Sequence, residues 1–266
     1  MSGKRLRISK FFNRESGAGL LVPIDHGLTI GPVSGLRTLS EIGSWINNRH
    51  LGGIIAHKGM VERLARADLI RGLPVMVHLN GMTSMAPCPD TKELVTRVEH
   101  AIRLGADAVS IQVNFDGDNE AHNLTMLGAV VDEAERFGMP VLTMLYDKAK
   151  IGDKQAKHAR LRHLIRLTLE LGTDALKLAA PESVSEVAEL LEDAFDDTAV
   201  FFAGGPLCSD DELFSLARAV SGYEWVGLCV GRNVFQRPSP SKVIGELHNI
   251  LAMGRAGGRE ALASVA

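Results

Sequence analysis

Residues 172–180 read Gly-Thr-Asp-Ala-Leu-Lys-Leu-Ala-Ala, which is a helix-ending signal followed at once by a short apolar run. Glycine commonly ends a helix, and a short apolar run bounded by turn residues is typical of a buried strand. The same order of signals recurs at 105–113 and at 138–145. This repetition predicts a chain in which helices and strands alternate, each helix ending just before the next strand begins.

The chain holds eight such apolar runs, whose starts lie roughly 20 to 35 residues apart, about the length of one strand-plus-helix unit. They are 20–24, 53–57, 74–78, 108–113, 140–145, 175–178, 199–203 and 225–230. Amphipathic segments with helical spacing lie between them, at 92–104, 123–137, 156–171, 184–194 and 210–219.

No linker rich in Pro, Gly or Ser divides this series, so the sequence predicts one α/β domain over 1–266, a closed (β/α)8 TIM barrel. Residues 1–18 are expected to form an N-terminal extension, and residues 254–266 a flexible tail. The alternative is a doubly wound open sheet, which usually carries a Gly-rich turn after its first strand. The sequence has no such turn there.

Composition narrows the class of protein. The 266 residues are 45% hydrophobic and carry a formal net charge of -3, so the chain can bury a large core and has no basic field for nucleic acid. Its three cysteines are scattered, which is typical of a reducing compartment. No uninterrupted apolar segment follows the basic N-terminus, which argues against a signal peptide or a membrane span. We therefore expect a cytoplasmic protein with neither nucleic acid nor membrane as its partner.

Lys177 interrupts the apolar run 175–178 and is the most unusual residue of the pattern. A buried ammonium loses hydration and is tolerated only if it is paired or if its pKa falls. A lysine with a lowered pKa is a nucleophile that can form a Schiff base with a carbonyl substrate. The simpler interpretation is a snorkelling or salt-bridged lysine, so its role depends on its companions.

Polar residues and glycines occur in or after five of the predicted strands, toward the end of the barrel where the catalytic groups of this fold lie. They are Asp25 and His26 after the first strand, Tyr146 and Lys148 at the fifth, Lys177 in the sixth, Gly204 and Gly205 after the seventh, and Gly231 and Arg232 after the eighth. Glycines at the last two strands let backbone N–H groups approach an anion, and a guanidinium suits phosphate. They predict a phosphate site; tight turns are the structural alternative.

A small sugar phosphate held there would extend across the mouth of the barrel toward Lys177. Its carbonyl could form an iminium with Lys177, with Asp25 as general base and Tyr146 as proton donor or acceptor. Taken singly, Tyr146 as a packing residue and Asp25 as a structural carboxylate are equally good interpretations. Their combination with Lys177 favours a catalytic site over these structural interpretations.

Five segments resemble those of the archaeal-type class I (Schiff-base) aldolases and together span roughly residues 10 to 250. They are 22–32, 57–59, 105–110, 203–206 and 230–236. Within this family the similarity is greatest to the 2-amino-3,7-dideoxy-D-threo-hept-6-ulosonate synthases and the related 2-amino-4,5-dihydroxy-6-oxo-7-(phosphooxy)heptanoate synthases. The first and last segments are specific, whereas the Gly-Ala-Asp run is shared by many barrels.

The resemblance implies an aldolase that needs no cofactor, because Lys177 carries the covalent imine while Tyr146 transfers protons and Asp25 serves in acid–base catalysis. The substrate- and phosphate-binding residues expected on this basis are Gly204, Gly205, Gly231, Arg232, His26 and Lys148, and no metal ligand is expected. The preferred branch condenses dihydroxyacetone phosphate with L-aspartate semialdehyde to an amino-heptulosonate phosphate. The alternatives are a transaldol exchange with the same acceptor and a fructose-bisphosphate aldolase. A homo-oligomer of fivefold or tenfold type, the latter a decamer, is also implied.

The chain departs from the family at two places. Residues 146–149 read Tyr-Asp-Lys-Ala where the family often has Tyr-Pro-Arg-Gly, and residues 178–181, after the imine lysine, are apolar. Lys148 is the candidate replacement for the arginine. Both changes affect substrate contacts rather than the imine chemistry.

Two other classes of function fit part of the pattern. His26, His57 and His78 lie at the ends of the first three strands, and three such imidazoles could hold a catalytic metal. The simpler alternative is that they form hydrogen bonds within the mouth. A non-enzymatic, phosphate-binding regulatory barrel would need Lys177 only as the ion-pair partner of Asp25, and a tyrosine at a third strand end argues against it.

Overall fold

The computed structural model describes residues 2–181, 183 and 186–263, and for residues 2 and 255–263 the backbone only. Within these residues, eight parallel strands close into a barrel in which each strand pairs with its neighbours along the chain and the eighth returns to the first. They are β1 (Gly19–Pro23), β2 (Gly53–His57), β3 (Val75–His78), β4 (Ala108–Phe115), β5 (Val141–Asp147), β6 (Ala175–Leu178), β7 (Ala199–Ala203) and β8 (Val226–Cys229).

Helices connect the strands and surround the barrel. Those described are Ser2–Ile8, His26–Ile30, Leu39–Ile46, Lys58–Arg66, Val98–Arg103, Glu120–Arg136, Lys154–Glu170, Glu186–Glu192, Asp210–Val220, Arg232–Phe235 and Pro240–Ala263, with a 3-10 turn at Ser9–Phe11. None of these helices combines the length and the hydropathy that a bilayer crossing requires.

The predicted (β/α)8 barrel is confirmed, and the predicted strands agree with the observed ones to within two residues at each end. The helix predicted over 92–104 is wrong in its first half, because the helix begins only at Val98. Before it, Glu93–Leu94 forms a short antiparallel ladder with Asn80–Gly81, and the N–H groups of Val95 and Thr96 donate to the carbonyl of Leu79. These bonds to the segment after β3 replace the helical ones.

The other predicted helices are present with ends shifted by up to three residues. Of the segment 184–194, residues 184 and 185 lie outside the described residues, and the helix spans Glu186–Glu192. The backbone of the predicted tail continues the last helix to Ala263, and residues 264–266 lie outside the described residues.

The side chains of each strand alternate between two apolar layers, as strand geometry requires. In β6, Leu176 packs in the outer layer between strands and helices, whereas Ala175 belongs to the inner cluster that fills the barrel. The same alternation in β5 puts Met144 inside and Leu145 outside. By this alternation Lys177, two residues after Ala175, points into the barrel.

The N-terminal segment closes the end of the barrel opposite to the mouth. Phe11 is fully buried in the inner cluster, and the ring of Phe12 stacks on Phe201 at 5.2 Å between centroids. Two strand glycines make room for these rings, because a Cβ at Gly53 would lie 2.6 Å from the Phe11 ring and one at Gly19 equally close to Phe12. Ile8, Phe11 and Phe12 are therefore part of the core.

We expect Phe11→Ala to lower the free energy of unfolding by about 3–5 kcal/mol, because the truncation leaves a cavity in a layer that cannot collapse around it. Urea unfolding followed by circular dichroism measures the change. The control is Leu6→Ala in the same N-terminal segment, whose side chain is 69% exposed and whose truncation should change stability by at most about 0.5 kcal/mol. An equal, small loss in both variants would contradict the role of Phe11 in closing the barrel.

Candidate active site

A polar cavity of about 270 Å³ opens at the C-terminal ends of the strands, where barrel enzymes carry their catalytic groups. Its lining comes from the strand ends and the loops that follow them. The lining residues are Asp25, His26, Thr29, Ile30, His57, His78, Asn80, Gly81, Lys92, Gln112, Met144, Tyr146, Lys177 and Arg232. The cavity thus brings together Lys177, Tyr146, Asp25, His26 and Arg232 from four separate segments of the chain.

Lys177 lies deep in this cavity and is only 7% exposed. Its Nζ is 3.7 Å from the Sδ of Met144, which projects from the neighbouring strand β5. Tyr146 and the buried Cys229 also act on its ammonium. The ammonium of Lys177 therefore lies in the cavity, whereas its aliphatic stem packs among the apolar side chains of the inner cluster.

The charge on Lys177 is stabilised in the folded protein. Burial lowers the pKa of Lys177, but Cys229, Tyr146 and Asp25 favour the ammonium more strongly, so the net pKa is raised. Burial also raises the pKa of the Cys229 thiol to about 11, so this thiol is uncharged near neutral pH, and Asp25 is the anion that favours the ammonium there. Of the two conditions that the sequence left open, a compensating partner or a lowered pKa, the structure provides the partner.

Asp25 supplies the negative charge of the cavity. Burial raises the pKa of this carboxyl, but His78, Lys177 and His26 lower it by more than burial raises it, so the net pKa lies below its ordinary value. Its Oδ1 is 3.5 Å from the Nδ1 of His26. Because His78 is itself neutral near neutral pH, Lys177 is the cation that keeps Asp25 ionised there.

The three histidines at the mouth are held as neutral imidazoles. Burial lowers the pKa of His26 and His57, and lowers that of His78 to about 3. The Nδ1 of His78 lies 2.8 Å from the Oγ of Ser110, and its ring contacts that of His57 at 5.1 Å between centroids. Within the part of the chain that the structure describes, no group of three or more His, Cys, Asp or Glu is arranged to hold a metal ion.

Arg232 lines the cavity, and the glycine before it allows this approach. A Cβ at Gly231 would lie 2.9 Å from the Cε1 of His26 and 3.0 Å from the carbonyl oxygen of Pro23, so the loop after β8 packs directly on the one after β1. Gly204 and Gly205, after β7, lie outside the cavity lining. Gly205 has φ +66°, a conformation that favours glycine.

Asn233 fixes the two glycine loops to each other, a role that the sequence analysis missed. Its buried amide donates to the carbonyls of Gly204 at 2.9 Å and Pro206 at 2.8 Å, and its Oδ1 accepts from the N–H of Cys208 at 3.0 Å. The sequence shows only that an asparagine follows Arg232 in the loop after β8. Its partners, however, lie about 25 to 29 positions earlier in the chain.

Lys148 lies on the rim of the mouth rather than in the cavity. Its side chain is 43% exposed, and its Nζ is 3.7 Å from the Oδ1 of Asp90. Its neighbour Asp147 bonds Arg160 at 3.0 Å. At the two positions where the family often has Pro-Arg, this chain therefore has Asp147, which is bonded to Arg160 of a helix, and Lys148, which lies near Asp90 of the loop after β3.

Several cavity residues were not singled out from the sequence. Lys92 is 5% exposed, and its Nζ donates to the carbonyl of Pro89 at 2.7 Å. Asn80 bonds both backbone groups of Gln112, with its amide on the carbonyl at 2.8 Å and its oxygen on the N–H at 2.9 Å. No spacing in the sequence marks these residues. Lys92 and Asn80 reach the cavity because the segment after β3 folds over the mouth beside β4.

A closed barrel with a buried lysine, a carboxylate and a tyrosine at its C-terminal mouth has the architecture of a barrel enzyme. Residues 20–237 match the DeoC/LacD family aldolases. The chain belongs to this family and is an aldolase, which confirms the resemblance seen in the sequence and removes the non-enzymatic alternative.

Curated relatives cover nearly the whole chain. The 2-amino-4,5-dihydroxy-6-oxo-7-(phosphonooxy)heptanoate synthase of Streptomyces griseus is 32% identical over 250 residues, covering 93% of this chain and 90% of that protein. The 2-amino-3,7-dideoxy-D-threo-hept-6-ulosonate synthase 1 of Archaeoglobus fulgidus is 34% identical over 252 residues, covering 94% and 92%.

Solved structures share the fold. An archaeal fructose 1,6-bisphosphate aldolase superposes with a TM-score of 0.82 at 23% identity, over 94% of this chain and 100% of that one. A second structure of an archaeal fructose-1,6-bisphosphate aldolase, with its catalytic lysine covalently bound to the carbinolamine intermediate of the substrate, gives a TM-score of 0.80 at 22% identity, over 94% and 99%.

The neutral, buried His78 makes the protein acid-sensitive. The unfolded chain binds a proton at this histidine below about pH 6.5, whereas the folded state resists it down to a pKa of about 3, so stability falls as the pH falls between these values. Between pH 7 and pH 5 this histidine alone accounts for a loss of about 2 kcal/mol. We expect His78→Gln to reduce the loss of unfolding free energy over this interval by about that amount.

Urea unfolding at the two pH values measures the difference. His163→Gln is the control, because His163 is exposed on the surface. An acid sensitivity that is the same in wild type and His78→Gln would contradict the assignment of a neutral His78.

Proposed function

We propose that this protein is a class I aldolase in which Lys177 forms an imine with dihydroxyacetone phosphate, and that the resulting enamine adds to L-aspartate semialdehyde. The observation that carries the proposal is the meeting of Lys177, Tyr146 and Asp25 in one cavity, from strands β6 and β5 and the end of β1. This combination supplies a nucleophile, a proton donor and a base to one carbonyl group.

The first step requires the ammonium of Lys177 to lose its proton, because only the free amine attacks a carbonyl carbon. In the resting cavity Asp25 stabilises the ammonium. Asp25 is also the ionised carboxylate of the cavity, so it is the base to which that proton passes. The Nζ lone pair then adds to the ketone carbon, the ketone oxygen takes a proton from Tyr146, and loss of water gives the iminium. The proton held by Asp25 returns to the Tyr146 phenolate, so the carboxylate and the phenol are both restored before the second step.

The second step uses the iminium as an electron sink. A base, assigned here to Asp25, removes the proton from the carbon next to the iminium and leaves an enamine. The enamine carbon attacks the aldehyde carbon of the acceptor, and Tyr146 protonates the oxygen that becomes the new hydroxyl group. The proton on Asp25 then passes to the Tyr146 phenolate, and water hydrolyses the product iminium to the ketone and the ammonium of Lys177. The cycle thus restores all three groups and consumes no cofactor.

The phosphate of the donor is assigned to the loops after β7 and β8. Arg232 lines the cavity and offers a guanidinium that can bind phosphate bidentately. Gly204, Gly205 and Gly231 do not line the cavity themselves, but Asn233, next to Arg232, bonds the loop of Gly204, so N–H groups around these glycines are the expected further donors. His26 packs against Gly231 at the same side of the mouth, so its neutral ring borders the substrate without adding charge.

The substrates are proposed from the relatives. The Streptomyces griseus protein is named as the synthase of a phosphorylated aminoheptanoate, and the choice of dihydroxyacetone phosphate and L-aspartate semialdehyde follows that product. The Archaeoglobus fulgidus relative, at 34% identity, supports the transaldol exchange with the same acceptor as the second candidate. Supplying dihydroxyacetone phosphate or a methylglyoxal-derived sugar phosphate, each with L-aspartate semialdehyde, separates the two by the donor that is consumed.

Three features stay predictions from the sequence and its resemblance: a cytoplasmic location, a homo-oligomer of fivefold or tenfold type, and a substrate contact through Lys148.

Borohydride trapping tests the imine. Incubation with dihydroxyacetone phosphate and sodium borohydride should add one reduced donor to the wild-type protein, which intact mass spectrometry and peptide mapping would locate at Lys177. Lys177→Met should gain no adduct and should lose at least about 1000-fold in turnover, because it lacks the amine that forms the covalent intermediate. The control is Lys242→Met, whose exposed side chain lies on the last helix. An adduct at another lysine, or none, would refute the proposal.

Tyr146→Phe should retain the fold, because the ring still packs, and should lower turnover by about 100- to 10,000-fold, because the proton transfer loses its donor. Steady-state rates with both substrates measure the loss. A variant with nearly full activity would assign the proton transfer to another group.

A further inference from the structure

The cavity holds a second buried lysine that the proposed chemistry does not use. Lys92 belongs to the segment between β3 and the helix Val98–Arg103, and this side chain is 5% exposed. It lines the same cavity as Lys177 and Asp25. A lysine side chain is seldom buried to this extent without a partner or a function.

The loop that carries Lys92 is fixed to the barrel at several points. The carbonyl of Lys92 accepts from Nε2 of His122 at 2.9 Å, and the carbonyl of Asp90 accepts from the amide of Asn114 at 2.7 Å. Farther along the loop, the Nζ of Lys58 donates to the carbonyl of Val95 at 2.7 Å. Lys92 is thus presented from a loop with a defined position, as a binding group must be.

The ammonium of Lys92 has donor capacity left over. It has three N–H groups, of which one donates to the carbonyl of Pro89 at 2.7 Å. Among the residues that the structure describes, no further hydrogen bond of Nζ is present. Burial lowers the pKa of Lys92 below its ordinary value, and the nearby Asp90 offsets this only in part. A buried cation with unused donors favours an anion beside it.

Lys92 and Arg232 approach the cavity from different sides. Arg232 follows β8 and Lys92 follows β3, which is three strands further around the ring of eight, and Lys177 projects from β6. The two cations therefore border the reacting lysine at separated positions. A substrate pair with one anionic group on each reactant matches this arrangement.

We propose that Lys92 binds the carboxylate of the aldehyde acceptor and so determines the acceptor that the enzyme prefers. This inference rests on the proposed function, in which the phosphate of the donor lies at Arg232 and the aldehyde meets the enamine on Lys177. The acceptor then extends away from Arg232, toward the loop after β3. Two N–H groups of Lys92 remain for its carboxylate, and the cation makes each hydrogen bond charge-assisted.

The rival explanation is that Lys92 only ties its own loop by the bond to Pro89. Lys58 provides a matched control for this explanation, because it also bonds a carbonyl of the same loop at 2.7 Å but is exposed and lies outside the cavity lining. A loop-holding role would make the two lysines equivalent. An acceptor-binding role would make only Lys92 sensitive to the charge of the aldehyde.

The test compares wild type, Lys92→Met, Lys92→Arg and Lys58→Met with dihydroxyacetone phosphate and three aldehydes on the same four-carbon skeleton. L-Aspartate semialdehyde and succinic semialdehyde carry the carboxylate, and butanal lacks it. We expect Lys92→Met to lower kcat/KM by about 10- to 100-fold for the two carboxylates, chiefly through KM, and by at most about twofold for butanal. Lys92→Arg should recover most of the loss, and Lys58→Met should treat the three aldehydes as wild type does.

Equal losses for all three aldehydes in Lys92→Met, or no loss for any, would overturn the proposal. Borohydride trapping with dihydroxyacetone phosphate alone separates this failure from that of the imine mechanism. If the wild type gains no adduct at Lys177, the proposed function fails. If wild type and Lys92→Met gain the adduct equally and still show the same preference among aldehydes, the assignment of Lys92 fails. Lys92→Gln repeats the comparison should Lys92→Met not fold.

Discussion

The electrostatic interaction between Lys177 and Asp25 is the constraint on which the rest of this site depends. Closing eight strands into a barrel leaves every second side chain inside, and in β6 that position holds an ammonium. An isolated buried ammonium would be costly. The carboxylate after β1 compensates it across the barrel, and the lysine in turn keeps that carboxylate ionised. Asp25 thus stabilises the ammonium of Lys177, and Lys177 stabilises the carboxylate of Asp25. These are the charge states from which the proposed imine chemistry begins.

The surroundings of this pair limit the charge in the cavity. Three imidazoles lie at the mouth, and burial keeps them neutral, so they supply polarity without competing with Lys177 for Asp25. Below them, the aromatic residues of the N-terminal segment fill the barrel from its other end. The cations that remain, at the loops after β3 and β8, then lie where two anionic groups of reactants would be bound at separate sides of the lysine.

The sequence predicted the strands well and the loops poorly, for a physical reason. A run such as 175–178 is apolar because both faces of a parallel strand are buried, and this local property is readable without neighbours. The segment 92–97 also has a helical pattern, yet its backbone bonds the segment after β3 instead. Lys92 and Asn233 were missed for the same reason: their partners Pro89, Gly204 and Cys208 are known only once the loops are folded.

The sequence by itself determined the barrel, the positions of its strands along the chain and the identity of the residues at the strand ends, since periodicity and turn signals are local. It also pointed to the family, through motifs around Asp25 and Arg232. Only the tertiary structure decided that Lys177 is balanced by a carboxylate, that Lys148 lies on the rim and that Lys92 faces the cavity. The charge state of a buried group and the direction in which a side chain points depend on distances between segments far apart in the chain. No local sequence pattern contains those distances.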